Sequence, residues 1–357
     1  MSVLRDVIIS PLLSTVGIFP PDPTFGRYVM EPSEEESKYL FSNPALRVRM
    51  RRVFITRSSR KGVDVGIGEG QDVKCTADEL QNVGGKEWIF YRTVELDTPE
   101  AAQAKARGSD LVLLHGKWTP HTPRFLAMGF RIILIDLAAH GKSTGLHVHL
   151  PNAFSLAESV HAVLTDLKRL DPEPRKTFLA GSSMGGWTSR YPAPPNPISG
   201  LFLVSPLIGI APESFPPYPI YLLGKILRHI VGRLPLTAPI RGKVSDDPRV
   251  EEEFYADERS YRGNMRIATG FALLEGSSAL LNSAPSLSVP LRIVHGSHDR
   301  ATDHRRSVEF YKSTPDVQCK IYEGYEHVML KVGVDAADDA KRQAVLADME
   351  NWLSEKL

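Results

Sequence analysis

The sequence predicts an α/β fold in which a mostly parallel sheet is flanked by helices. Short apolar runs that end in glycine or a polar residue recur along the chain, as strands buried on both faces do. These runs lie at residues 110–116, 130–136, 200–205 and 291–296. Helical or irregular segments separate them, and this alternation is typical of parallel strands joined by crossovers. Side chains at the carboxyl ends of such strands meet at one edge of the sheet.

Residues 176–186 add a further strand, which runs into the motif G-x-S-x-G. This motif forms a sharp strand-to-helix turn that presents a nucleophilic serine, here Ser183. Gly181 and Gly185 lack a Cβ atom, so the backbone can fold tightly around the serine. The motif is short enough to occur by chance, and its place among the predicted strands is what gives it weight.

A serine hydroxyl needs a base to become a nucleophile, and the base needs a carboxylate that orients it. After a turn of this type, the expected chain order is serine, acid and histidine. Asp299 follows the strand at 291–296, and His327 follows another short strand, so both can reach the sheet edge that carries Ser183. Two alternatives stay open. Asp299 could cap a helix that starts near Thr302, and His327 could be an ordinary buried histidine.

Other histidines and the cysteines carry weaker signals. His295 and His298 lie beside the predicted acid and are interpreted as turn residues or as support for it. His147 and His149 could form a metal pair on one face of a strand, but no third ligand is in view. We therefore expect no metal and no cofactor.

Composition excludes some classes of function. The net charge is +1, so nothing indicates a nucleic-acid partner. Only two cysteines occur, Cys75 and Cys319, which are too few for a disulfide framework or a zinc site. Their scarcity favours a reducing, cytoplasmic location. The apolar run at residues 7–19 is too short to span a bilayer and contains Pro11, and no signal peptide is expected.

Two segments stand apart from the predicted sheet. Residues 1–75 are predicted to be an N-terminal extension, in which 62–70 is a loop and the basic run 47–52 is a strand with one solvated face or a site for an anionic membrane. Residues 206–285 interrupt the later strands. Within them, 218–234 has apolar residues at near-helical spacing, which indicates a helix. Packing of this helix into the core is the default interpretation.

These motifs together resemble the monoacylglycerol lipase branch of the α/β hydrolases, which includes serine aminopeptidase-like members (Hydrolase_4). The resemblance covers roughly residues 85–355. The matching segments are 113–116, 136–143, 181–186, 296–300 and 321–327. It implies an α/β-hydrolase domain over 76–357, with an inserted helical cap at about 206–285 whose apolar face admits lipid and touches a membrane.

The resemblance also implies a role for each site residue. Ser183 would be the nucleophile, Asp299 the acid and His327 the base. The backbone N–H groups of Lys117 and Met184 would form the oxyanion hole, which stabilises charge that develops only in the tetrahedral intermediate.

By the same resemblance, the substrate would be a lipid ester such as a monoacylglycerol, cleaved through an acyl-enzyme. The enzyme would work in the cytoplasm, or peripherally on membranes or lipid droplets. Two alternatives remain: a catalytically weak protein of this fold that binds a lipid or a partner, and an acyltransferase, in which an alcohol instead of water resolves the acyl-enzyme.

Two segments that bracket the predicted oxyanion hole are shorter than the family pattern. After Gly116, the usual loop and full helix are reduced to residues 117–123 and a short segment at 124–128. The helix after Ser183 must end before Pro192. The first shortening predicts a loosely held Lys117 N–H and therefore slow turnover.

Overall fold

The structure, a computed structural model, describes residues 8–16, 22–57, 65–81, 83–190, 197–237, 242–283, 289–314 and 316–357. Its strands are β1 Leu46–Arg57, β2 Val65–Asp72, β3 Glu87–Leu96, β4 Ser109–Leu114, β5 Arg131–Asp136, β6 Lys176–Ser182, β7 Gly200–Val204, β8 Leu291–Gly296 and β9 Val317–Tyr322. Its α-helices are α1 Ser10–Thr15, α2 Glu34–Glu36, α3 Pro99–Gln103, α4 Thr122–Ala127, α5 Phe154–Leu170, α6 Tyr218–Val231, α7 Pro248–Ala256, α8 Ile267–Ser283, α9 His304–Ser313 and α10 Ala336–Lys356. Short 3-10 helices cover 78–80, 119–121, 183–190 and 212–214.

The strands of the described residues form one sheet in the order β2-β1-β3-β5-β4-β6-β7-β8-β9. From β5 to β9 every neighbouring pair is parallel, whereas β1, β2 and β3 pair antiparallel. The five apolar runs predicted as strands correspond to β4, β5, β6, β7 and β8. The predicted α/β fold with a mostly parallel sheet is therefore confirmed.

Helices cover both faces of the sheet, which explains why its central strands are apolar throughout. Successive residues of a strand point to opposite faces. In β4, Val112 and Leu114 join the core cluster that contains Val160 of α5. Leu111 and Leu113 join a second cluster on the other face, which contains Trp352 of α10.

The predicted N-terminal extension contributes strands to this sheet. Residues 46–57 form β1, as the basic run predicted, and β1 pairs with β3. The loop prediction for 62–70 is wrong over residues 65–70, which lie in β2, while 62–64 lie outside the described residues. Gly70 shows why this strand is rich in glycine: a Cβ atom there would lie 2.1 Å from Oδ1 of Asp166 on α5. The absence of a side chain at Gly70 lets α5 approach β2 closely.

The insertion contains α6, α7 and α8. The predicted helix at 218–234 is present as α6. It has no buried residue, so the default interpretation of a helix packed into the core is wrong. One face of α6 contacts α8, where the ring centroids of Tyr221 and Phe271 are 5.5 Å apart. The opposite side exposes apolar residues, including Ile226 at 66% and Ile230 at 75%.

Two N-terminal predictions fall partly outside the described residues. Of the apolar run at 7–19, residues 7 and 17–19 are not described, and α1 occupies Ser10–Thr15. The helix after Ser183 is described as far as residue 190, and its predicted end before Pro192 lies beyond that point. Within the described ranges, no helix is both long and apolar enough to cross a membrane.

Candidate active site

Ser183 lies directly after β6 in a strained backbone conformation. Its φ is +53°, a region that residues with a side chain rarely occupy. The glycines of the motif make room for this turn. A Cβ atom on Gly181 would lie 2.6 Å from the carbonyl oxygen of Gly185, and one on Gly185 would lie 2.5 Å from that of Leu114. The turn therefore requires glycine at both positions, and it presents Ser183, half-buried, at the end of its strand.

The structure joins Asp299 and His327 at the same edge of the sheet. Asp299 follows β8 and His327 follows β9, and both are buried. Nδ1 of His327 donates a hydrogen bond of 2.7 Å to Oδ2 of Asp299. This contact leaves Nε2 as the nitrogen that can serve as a base. The strand order β6-β7-β8-β9 places Ser183 on the same edge as this pair.

Among the described residues, no hydrogen bond joins the Ser183 hydroxyl to His327. Catalytic hydrogen bonds are often long or absent before substrate binds, so this geometry does not argue against the pair.

Asp299 also accepts hydrogen bonds from the turn that follows it. Its Oδ1 accepts from the backbone N–H groups of Ala301 and Thr302, each at 2.8 Å. The cap of α9 is Asp303 and not Asp299, because the Asp303 carboxylate accepts from the N–H of Arg305. The alternative of a helix cap is thus replaced by a local turn, which occupies one carboxylate oxygen and leaves the other for His327.

The carboxyl group of Asp299 is held in its ionised form. Burial raises its pKa, but hydrogen bonds from His295 and His327 outweigh burial and bring the pKa well below its usual range. An ionised carboxylate here can orient the His327 ring and stabilise the imidazolium that forms during proton transfer.

His295 contacts Asp299, in agreement with one of the two interpretations that the sequence left open, support for the predicted acid. It lies in β8, is fully buried, and places Nε2 3.1 Å from Oδ2 of Asp299. Burial lowers the pKa of its imidazole, which keeps the ring neutral. The available signal was a histidine inside an otherwise apolar strand, but its partners come from segments further along the chain. His298, by contrast, is exposed, and its Nε2 lies 4.0 Å from Oε1 of Glu323.

The loop after β4 is short but anchored. His115 and Gly116 have positive φ values of +51° and +97°. Nδ1 of His115 lies 3.2 Å from the carbonyl oxygen of Ser182, which ties this loop to the serine turn. Trp118 is buried and donates its indole N–H to the carbonyl oxygen of His115 at 2.7 Å. These contacts hold the loop on both sides of Lys117 without the longer helix of the family pattern. The structure therefore differs from the loosely held loop that the shortening predicted.

The side chain of Lys117 reaches away from the sheet to the insertion. Its Nζ donates to Glu253 of α7 at 2.7 Å. Met184, the other predicted donor of the oxyanion hole, is buried and follows Ser183 directly. Of the two predicted donors, Lys117 follows β4 and Met184 follows β6, and these two strands are neighbours in the sheet.

The pair His147 and His149 does not lie on a strand. Val148 between them has φ of +58°, so this segment is a turn and the two rings do not share a strand face. The ring of His147 packs on Tyr261, with centroids 5.2 Å apart. In the described part of the chain, no group of three His, Cys, Asp or Glu residues is arranged to hold a metal ion.

Residues 115–331 match the family model Hydrolase_4, described as serine aminopeptidase, S33. The chain belongs to this family. It is 28% identical over 239 residues to the monoglyceride lipase of Homo sapiens, covering 65% of this chain and 76% of that protein. It is 26% identical over 242 residues to the caffeoylshikimate esterase of Arabidopsis thaliana, covering 65% and 71%. The predicted membership of the α/β hydrolases is confirmed.

The fold of the described residues is also found in solved structures. A soluble variant of monoglyceride lipase from Saccharomyces cerevisiae aligns with a TM-score of 0.64 at 18% identity, over 76% of this chain and 92% of that one. This likeness concerns the fold alone. The lipase and esterase relatives support the assignment of the chain as a carboxylic ester hydrolase.

Proposed function

We propose that this protein is a serine hydrolase that cleaves a lipid ester, such as a monoacylglycerol, through an acyl-enzyme. The observation that carries the proposal is the 2.7 Å hydrogen bond between His327 and Asp299, at the sheet edge where Ser183 projects from its strained turn. A buried, oriented imidazole at the end of the sheet is what activation of a serine requires.

In the proposed mechanism, Nε2 of His327 accepts the hydroxyl proton of Ser183 while Oγ attacks the ester carbonyl carbon. The N–H groups of Lys117 and Met184 stabilise the resulting oxyanion. His327 then donates the proton to the departing alcohol oxygen, which leaves an acyl group on Ser183. A water molecule then loses a proton to His327 and attacks the acyl carbon. His327 returns that proton to Oγ of Ser183 as the bond between Oγ and the acyl carbon breaks and the carboxylic acid is released. Asp299 stabilises the imidazolium in both half-reactions.

The exposed apolar side of α6 favours a lipid ester over a small soluble ester. A soluble protein gains nothing from a helix whose large apolar side chains face water, and such patches mark binding surfaces. In the monoglyceride lipases named above, the substrate class is a lipid ester. Lys225 is exposed on the same helix and suits an anionic lipid surface.

One experiment tests the chemistry. The protein is treated with a fluorophosphonate, its intact mass is measured, and its rates are recorded on esters graded by acyl length. We expect one label, absent in Ser183→Ala, together with ester hydrolysis that favours long acyl chains. No label in the unmodified chain would support the binding-protein alternative. Full labelling with product formed only when an acceptor alcohol is present would support the acyltransferase.

A second experiment tests the membrane surface. We expect the unmodified chain to co-sediment with vesicles that contain phosphatidylserine, and Ile226→Asp together with Ile230→Asp to reduce this binding at least about tenfold. Hydrolysis of a short soluble ester should be retained by the double variant. Val334→Asp, at a residue 73% exposed outside α6, is the matched control and should bind vesicles normally. Equal binding by all three proteins would contradict the membrane surface.

A further inference from the structure

His295 shares with His327 a single carboxylate oxygen of Asp299. Its Nε2 lies 3.1 Å from Oδ2 of Asp299, and its Nδ1 lies 2.7 Å from the hydroxyl oxygen of Ser307 on α9. Both His295 and Ser307 are fully buried, so neither contact competes with water.

These contacts determine which nitrogen of His295 carries the proton. An ionised carboxylate only accepts hydrogen bonds, so Nε2 must be the donor toward Asp299. A neutral imidazole has one N–H group, and Nδ1 is therefore an acceptor. The Ser307 hydroxyl must then donate to Nδ1. Asp299 thus selects the tautomer of His295 that carries the proton on Nε2, and the hydrogen bond from Ser307 to Nδ1 stabilises it.

Oδ2 of Asp299 has one more donor. The Thr302 hydroxyl lies 2.7 Å from it, so three hydrogen-bond donors converge on this oxygen. Each donor stabilises negative charge on Oδ2 and makes it less basic toward the others. The strength with which Asp299 attracts the His327 proton is therefore set in part by His295.

We propose that His295 is a positioning residue of the reaction, which holds the Asp299 carboxylate in place and limits how strongly it stabilises the protonated form of His327. This inference rests on the function proposed above. The titratable groups that act on His295 are Asp299 after β8, His327 after β9 and His304 on α9, whose ring centroid is 6.3 Å away.

Loss of the His295 N–H has two expected effects. Asp299 loses one of its donors and becomes more basic, so protonated His327 is better stabilised and the limb on which activity rises with pH moves to higher pH. The carboxylate is also less firmly oriented, which lowers kcat while leaving substrate contacts, and therefore KM, nearly unchanged.

The test is the pH profile of kcat/KM on a soluble ester for the unmodified chain, His295→Met and His295→Gln. Methionine fills a similar volume without a donor, and we expect its midpoint to rise by about half a pH unit or more, with kcat about tenfold lower. The amide of Gln can donate from a position near that of Nε2, so His295→Gln should recover both the midpoint and most of kcat. His298→Met, at an exposed site three residues away, is the matched control and should keep the unmodified profile.

Ser307→Ala tests the same inference without altering the ring. It removes the hydroxyl that donates to Nδ1 and stabilises the tautomer with the proton on Nε2, so we expect a smaller midpoint shift in the same direction. This variant carries the test if His295→Met does not fold, as judged by its thermal unfolding. An unchanged midpoint in a folded His295→Met, or in Ser307→Ala when that variant alone folds, would overturn the inference. If the unmodified chain neither hydrolyses esters nor accepts a fluorophosphonate, the proposed function itself fails.

Discussion

At the scale of single residues, the two carboxylate oxygens of Asp299 have different partners. Its Oδ1 is held by two backbone N–H groups of the following turn, and its Oδ2 faces His327. We predict that Asp299→Asn folds but hydrolyses esters about 10⁴-fold more slowly. The reason is that an amide at this position can donate to Nδ1 of His327 and so favours the tautomer in which Nε2 carries the proton and cannot act as a base. Steady-state kinetics on a soluble ester measure this loss. Asp303→Asn, at the cap of α9, is the control and should keep its activity. Full turnover by Asp299→Asn would place the acid elsewhere.

His121 gives a prediction about stability and pH. Burial, with a smaller contribution from the charge of Arg342, lowers the pKa of His121 to about 4, whereas the unfolded chain titrates near its ordinary value of about 6.5. Between these two pH values the unfolded state binds a proton that the folded state does not. The contribution of His121 to the free energy of unfolding is therefore complete above about pH 6.5. It is lost as the pH drops toward 4, which lowers the free energy of unfolding by up to about 3 kcal/mol.

Urea unfolding at about pH 7.5 and about pH 5 measures this loss. His121→Gln does not titrate, so its stability should fall less between the two pH values than that of the unmodified chain. His298→Gln, at an exposed histidine, should behave like the unmodified chain. An identical decrease in all three proteins would show that His121 is not the group responsible.

At the scale of elements, one buried side chain, that of Trp118, contributes to holding the loop after β4. Trp118 donates to the carbonyl oxygen of His115, and its ring meets that of His121 edge to face at 6.5 Å. We predict that Trp118→Leu lowers kcat by about 10- to 100-fold with little change in KM, because the Lys117 N–H moves away from the position of the oxyanion. Trp118→Phe keeps the ring packing but lacks the N–H donor, so its kcat should lie between that of the unmodified chain and that of Trp118→Leu. Unchanged kcat in both variants would show that the loop is held by other contacts.

At the scale of the whole molecule, buried ion pairs connect the N-terminal segment to the rest of the chain. Arg51 on β1 donates to Asp166 on α5 at 3.1 Å, and both side chains are buried. The Tyr91 hydroxyl donates to the same carboxylate at 2.6 Å. Glu36 forms an ion pair with Arg92 on β3 at 2.9 Å. We propose from these contacts that residues 22–57 and 65–72 fold together with the hydrolase domain.

Arg51→Met tests this proposal. It leaves Asp166 buried without its cationic partner, so we predict a loss of about 3–5 kcal/mol in the free energy of unfolding, and recovery of most of it in the double variant with Asp166→Leu. Urea unfolding followed by tryptophan fluorescence measures both. Arg49→Gln removes an exposed pair with Asp72 and should change stability by less than about 1 kcal/mol. A separate N-terminal extension would instead leave the main unfolding transition of Arg51→Met unchanged.

The sequence by itself determined the strands of the parallel sheet and the turn at Ser183. Both are local features: an apolar run bounded by glycine or polar residues specifies a buried strand, and Gly181 and Gly185 specify a turn in which no Cβ atom fits. The prediction that Ser183, Asp299 and His327 can meet followed from the same reasoning, because parallel strands end at one edge of the sheet.

The tertiary structure alone decided what each buried polar group contacts and which faces are covered. His295 forms a hydrogen bond with Ser307, and Trp118 donates one to the carbonyl oxygen of His115. Arg51 donates to Asp166, which lies 115 residues away along the chain. Spacing along the chain also could not show that α6 leaves its apolar side exposed, because a helix for the core and a helix for a lipid surface have the same periodicity. The partner of a buried group depends on how segments that are distant along the chain pack together, and no single stretch of sequence specifies that packing.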